Sequence, residues 1–145
     1  AHRIAFAALR SLADLDEFVS LARAHSPGAL SAFELIPEVG VRQVVERFGV
    51  TRPVAAVSDW YVLLRFSGAD RIGDELLTML STAADAGLVF DAVIAETTAQ
   101  EDNLWLLRDE LTATAADLLL VVGFLDWGMV GGRGRMVFAD AWFDG

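Results

Sequence analysis

The chain has 145 residues, enough for one compact domain with a buried core. A formal charge of −10, from 21 acidic and 11 scattered basic residues, argues against a nucleic-acid surface and against docking on anionic lipid. No apolar run reaches the roughly 18 residues needed to span a bilayer, and the absence of cysteine removes disulfide and thiolate chemistry and fits a cytoplasmic location. At 54% hydrophobic, the chain carries more apolar surface than a domain of this size ordinarily needs. That excess predicts a protein partner: either a second domain or a second copy, in a homo-oligomer.

The first residues, Ala1-His2-Arg3, lead straight into a strand-like run, and a signal peptide is not expected from them. Ile4 to Leu9 reads as a short buried strand. Ser11 opens a helix, with Asp14 placed as in a capping box and Leu12, Leu15, Val19 and Ala22 along one face. Pro27-Gly28 stops it. Ala29 to Ile36 is a second strand, broken only by Ser31 and Glu34; alternation places Glu34 on the face opposite Phe33 and Leu35, as an edge or interface residue. Pro37 suits the first turn of a helix carrying Val41, Val44, Val45 and Phe48. A loop follows from Gly49 to Ser58, then the strongest strand, Trp60 to Ser67, rich in aromatic and branched side chains. Asp70 to Ala86 is an amphipathic helix with Ile72, Leu76, Leu80 and Ala83 on one side, ended by Gly87. Leu88 to Ala95 contains a fourth strand, and Thr98 to Ala116 a last helix. Leu118 to Leu125 reads equally as strand or as helix end. Residues 127–145, with five glycines and no hydrophobic period, read as irregular.

The order is β-α-β, a linking helix, β-α-β, and a final helix. Two split β-α-β units predict an α+β, ferredoxin-like fold: a four-stranded antiparallel sheet with helices on one face. The division expected is a domain over 1–116 and a divergent tail rich in glycine and aromatics over 117–145.

Familiar catalytic patterns are missing. His2 and His25 are the only histidines, and neither has a second ligand near it, so a zinc or iron site is not expected. His25 complements the dipole at a helix C-terminus. Asp14, Asp16 and Glu17 match the dipole of a first turn, and are not a catalytic pair. There is no Gly-x-Ser-x-Gly elbow, and the run Gly131 to Arg135 has no strand before it or helix after it to make it a phosphate loop.

Three segments in order carry a resemblance: Leu30 to Ile36 (LSAFELI), Tyr61 to Gly68 (YVLLRFSG), and Asp91 to Ala95 followed by Gln100 and Leu104 to Glu110 (LWLLRDE). Together they resemble the C-terminal substrate domain of the FAD-linked oxidases, the family of D-lactate and D-2-hydroxyglutarate dehydrogenases. The resemblance implies a cap over a flavin that a separate, missing domain binds, so FAD is not expected to bind this chain alone. It implies a small 2-hydroxy acid as substrate, with Arg108 gripping its carboxylate and Thr112, one turn on, contacting it as well. Spacing alone also allows Arg108 to be an exposed partner of Glu101 or Asp109, and makes Trp105 a core residue. The chain departs from the family at Gly123, where a substrate-contacting lysine is expected, and in having no histidine after His25, where metal ligands and a catalytic base are expected. No catalytic residue is therefore assigned, and the isolated chain is expected to be an inactive fragment. A stand-alone dimeric ferredoxin-like module that binds a metabolite or a protein is the alternative.

Overall fold

The computed structural model describes residues 1–25, 28–118, 123–126 and 135–138, with side chains described up to Leu111. Among the described residues, six strands form one sheet: β1 (His2–Leu9), β2 (Leu30–Pro37), β3 (Trp60–Ser67), β4 (Val89–Ile94), β5 (Gly123–Asp126) and β6 (Arg135–Phe138). The same residues include four α-helices: α1 (Leu15–His25), α2 (Glu38–Phe48), α3 (Ile72–Asp85) and α4 (Thr98–Leu118). The strand order is β4-β1-β3-β2-β5-β6, and every neighbouring pair is antiparallel. The first four strands are those expected, in the interleaved order of two split β-α-β units, and the α+β assignment holds.

The helices, however, cover both faces. α1 and α3, the crossovers of the two units, pack Phe18, Ala22, Leu76 and Met79 against Ala5, Ala7, Phe33 and Leu64. α2 and α4 pack Val41, Val44, Leu104 and Leu107 against Ile4, Phe6, Tyr61 and Leu63. The expectation of helices on one face is corrected for a reason visible in β1: Ile4 to Leu9 is apolar at every position, and all six residues are buried. A strand wetted on one side alternates apolar with polar; this one cannot leave either side in water.

Local chemistry adjusts several boundaries. Ser11 does cap, but its hydroxyl accepts from Ala13 N at 3.0 Å, not from Asp14, and the first turn, Leu12–Asp14, is a 3-10 helix. That tighter turn rotates Leu12 outward, so it is exposed, and Phe18 and Ala22 fill the core instead. Phe48, read as part of the α2 stripe, is also exposed at the last turn. Gly49 and Gly87 take positive φ, 68° and 77°, just past the ends of α2 and α3, where a side chain would be strained. α4 continues to Leu118, beyond the expected end, and residues 123–126 then add to the outer edge of β2. Within the stretch read as irregular, residues 135–138 pair with β5. Their short length and lack of a period hid them; the open edge of β5, itself added to β2, is what recruits them. The Gly131 to Arg135 run lies outside the described residues except for Arg135, the first residue of β6.

The 49–59 loop is held down from beneath. The Tyr61 hydroxyl donates to Glu38 and accepts from Ser58 N at 3.0 Å and from Arg52 Nη2 at 2.7 Å. Arg52 also reaches Glu38 at 2.8 Å, and Asn103 of α4 clasps Thr51 through both its N–H and its carbonyl. Burial, then the bond to Glu38, pushes the Tyr61 hydroxyl above its ordinary pKa, so it stays a donor. Tyr61→Phe is expected to lower stability by about 1–3 kcal/mol, because it strands the Ser58 amide and leaves the Glu38 carboxylate with Arg52 but without the phenol donor. Chemical denaturation of the two proteins measures the difference; equal midpoints would remove this cluster as the loop's anchor.

Candidate functional site

α4 crosses the sheet with Leu104, Leu107 and Leu111 buried as one stripe. Arg108 stands at the margin of that stripe, on the side of Trp105. Its Nε donates to Glu34 Oε1 at 2.7 Å, and its Nη1 lies 3.7 Å from Asp109 Oδ1. Its guanidinium carbon is 5.6 Å from the centre of the Trp105 ring, within cation–π range. The side chain is 43% exposed, so it is anchored at one edge while remaining in touch with solvent. Of the two pairings that spacing suggested, Asp109 is present; Glu101 instead faces His2, at 3.7 Å.

Glu34 is the part of the site that the sequence did not disclose. Alternation does set it opposite Phe33 and Leu35, on the face of α2 and α4. It is not an edge residue, because β2 lies between β3 and β5, with Glu34 paired to Leu63 on one side and Phe124 on the other. It is only 5% exposed, and among the described residues its Oε2 has no hydrogen-bond partner. Burial raises its pKa above the model-compound value of 4.5, and the Arg108 charge and hydrogen bond pull in the opposite direction. The available signal was a single charge set in the middle of an otherwise apolar strand. Such a residue needs a buried partner.

Arg65, on β3, also approaches the indole. Its guanidinium carbon is 5.9 Å from the Trp105 ring centre, and its Nε donates to Ser31 Oγ at 2.9 Å. Trp105 is thus partly core, packed beside the α2/α4 cluster, and partly a surface against which two cations rest. Thr112 lies one turn beyond Arg108 in α4; its side chain is outside the described residues. Gly123 begins β5, opposite Leu35.

Two cavities lie elsewhere. One of about 350 Å³ sits between the 49–59 loop and the start of α4, lined by Arg52, Pro53, Val93, Gln100 and Leu104 among others. The second, about 820 Å³, runs between α3 and β4, past Arg3, Leu77, Ser81 and Ile94. Neither is lined by Arg108. The positive-φ glycines, Gly28, Gly49 and Gly87, each follow a helix; none carries a strand into a helix, the place of a dinucleotide-binding turn. Among the described residues, no group of three or more His, Asp or Glu side chains is arranged to hold a metal, and no helix is long and apolar enough to cross a membrane.

Comparison with known proteins accords with the fold. A D-2-hydroxyglutarate dehydrogenase, mitochondrial, of Arabidopsis thaliana is 29% identical over 112 residues, covering 75% of this chain and 20% of that protein. A putative D-lactate dehydrogenase, mitochondrial, of Schizosaccharomyces pombe is 27% identical over 115 residues, covering 78% of this chain and 22% of the relative. A D-2-hydroxyglutarate dehydrogenase of Xanthomonas citri is 30% identical over 88 residues, 60% of this chain and 18% of its own. The chain spans about a fifth of the length of these relatives. The family described as FAD linked oxidases, C-terminal domain, matches residues 1–127, past the end of α4 and through β5. Sheet order, the α4 segment with its Leu-Trp and arginine, and this match agree: the chain belongs to the C-terminal domain family of the FAD linked oxidases.

Proposed function

We propose that this chain is the substrate-binding domain of an FAD-dependent oxidoreductase that oxidises a small 2-hydroxy acid to a 2-oxo acid, and that Arg108 binds the acid's carboxylate. The observation that carries the reading is the anchoring of Arg108 by buried Glu34. A surface arginine loses side-chain entropy whenever it grips a ligand; one already held by a carboxylate in the sheet has lost most of it beforehand. Trp105 screens one side of the guanidinium from water, which strengthens a charged hydrogen bond to about 1.5–3 kcal/mol. Thr112, four residues on, lies along the same side of the helix and supplies a hydroxyl to the same ligand.

In this reading the flavin is held by a separate domain, and the chain alone binds the acid without oxidising it. A cytoplasmic location and association through exposed apolar side chains, Val57 and Leu77 being the most open, belong to the same proposal.

Titration of the chain with D-lactate and D-2-hydroxyglutarate, followed by NMR or calorimetry, tests it. Saturable binding is expected, weakened about tenfold or more in Arg108→Lys, which keeps a charge opposite Glu34 but loses the planar two-point contact. An unchanged isotherm in that variant would remove Arg108 from the site. Stoichiometric uptake of FAD by the chain, read from its visible spectrum, would contradict the separate flavin domain.

A further inference from the structure

β4 is the end strand of the sheet: β1 pairs with one of its edges, and among the described residues nothing pairs with the other. The Ala95 N–H bonds to the Ile4 carbonyl at 2.9 Å, which fixes the alternation along the strand. Asp91 and Val93, like Ala95, turn their backbone groups toward β1, while Ala92 and Ile94 turn theirs outward. The irregularity opposite Ala8 and Leu9 lies before this stretch, so the outward groups of Ala92 and Ile94 stand in regular register. An edge is ordinarily blunted by lysine, proline or a charge aimed along it. β4, with the sequence VFDAVI, has no lysine or proline, and its one charge, Asp91, accepts from Ala56 N at 3.2 Å. Beside the edge runs the groove of about 820 Å³, with Leu77, 57% exposed, on its α3 wall. Phe90, near the start of β4, is 42% exposed.

We infer that this edge is a dimer interface, in which β4 pairs antiparallel with β4 of a second copy about a two-fold axis at Val93. The inference rests on the association proposed above and is independent of the reading of Arg108. With Val93 on the axis, Ala92 of each copy meets Ile94 of the other, and each such pair exchanges two main-chain hydrogen bonds. Val93 meets its own counterpart at the closer, non-bonded position, where branched side chains pack well. Charge selects a second copy as the occupant. The same register sets Glu96, just past β4, against Phe90 of the second copy, and the Arg10 guanidinium carbon lies 5.8 Å from the centre of the Phe90 ring. Arg10 Nε is held by Gly87 O at 3.0 Å, and among the described residues neither Arg10 nor Glu96 has an ion-pair partner. One end of the edge therefore carries a cation and the other an anion, and a two-fold axis brings each to its opposite twice. Two copies of a chain with a formal charge of −10 repel at long range, so their association needs local pairing of this kind.

Sedimentation equilibrium of the full chain over a range of concentrations tests this, with a thermal melt of every variant to establish folding. The wild type is expected to pass from one chain of 15.7 kDa to twice that mass. Ala92→Pro removes an outward N–H without touching the ladder to β1, and is expected to leave a monomer. Arg10→Glu and Glu96→Arg each set like charges against one another, and are expected to weaken dimerisation about tenfold or more. The double variant restores opposite charges and is expected to return to within roughly threefold of the wild type. If Ala92→Pro does not fold, loss and rescue by the charge reversals decide alone. A dimer that the folded variants leave intact, or a loss in both single reversals without rescue in the double, would overturn the β4 interface while leaving association through other side chains such as Val57. A wild type that stays monomeric throughout, its edge left for another kind of partner, would overturn the association and this inference together.

Discussion

Arg108→Ala is expected to destabilise the fold by about 3 kcal/mol near neutral pH, whereas Glu34→Gln is expected to stay within about 1 kcal/mol of the wild type. The two substitutions break the same 2.7 Å ion pair, so the asymmetry is the test. Removing Arg108 strands an ionised carboxylate that is 5% exposed and already lacks a partner for Oε2 among the described residues. Removing the charge of Glu34 leaves an arginine that is 43% exposed and has Asp109 beside it. The double variant should recover most of the loss, since neither charge is then left uncompensated. The pH dependence has a definite sign. Burial raises the Glu34 pKa above 4.5, so the folded chain holds this proton more tightly than the unfolded one, and its contribution to stability falls as pH rises through the raised value. Without Arg108 the pKa rises further. The penalty of Arg108→Ala is therefore complete above the new pKa and shrinks as pH falls through it toward 4.5. Urea denaturation at several pH values measures this. Equal losses in the two single variants, or a penalty that grows on acidification, would show that Glu34 is not the buried charge that Arg108 compensates.

Leu107→Ala is expected to cost about 2–5 kcal/mol, and Leu106→Ala less than about 0.5 kcal/mol. The residues are adjacent in α4, but Leu107 is fully buried against the sheet and Leu106 is 42% exposed. Leu107 belongs with Ile4, Phe6 and Leu63 to the second core, and its truncation leaves a cavity under the helix that backbone relaxation fills only in part. The comparison decides whether α4 is an integral layer of the domain. If the two variants unfold at the same denaturant concentration, the helix contributes little to the cooperative unit, and a site built on Arg108 would lack a rigid support.

The elements themselves were legible because their signals are local. Trp60 to Ser67 is a dense run of aromatic and branched residues, the α3 stripe recurs at helical spacing, and Gly49 and Gly87 supply the left-handed residues that end two helices. The polar relation between elements was less so. Leu12 obeyed the helical period but lost its core position to a 3-10 turn, a choice made by the Ser11 cap and by packing of Phe18. β6 had no period at all and is defined by its neighbour. Arg108 could be picked out from its family-like segment, while its counter-charge lies 74 residues away in sequence, beyond any local pattern.

From the sequence alone came the class of the fold and the segment that bears the candidate arginine, since both depend on periodicity, turn residues and short motifs acting over a few positions. Only the tertiary structure decided that helices cover both faces, that Glu34 is the buried partner of Arg108, and that Arg65 and Arg108 share Trp105. These facts depend on which strands lie side by side and where a helix crosses them. Burial turns such meetings into strong interactions, and burial is a property of the assembled chain.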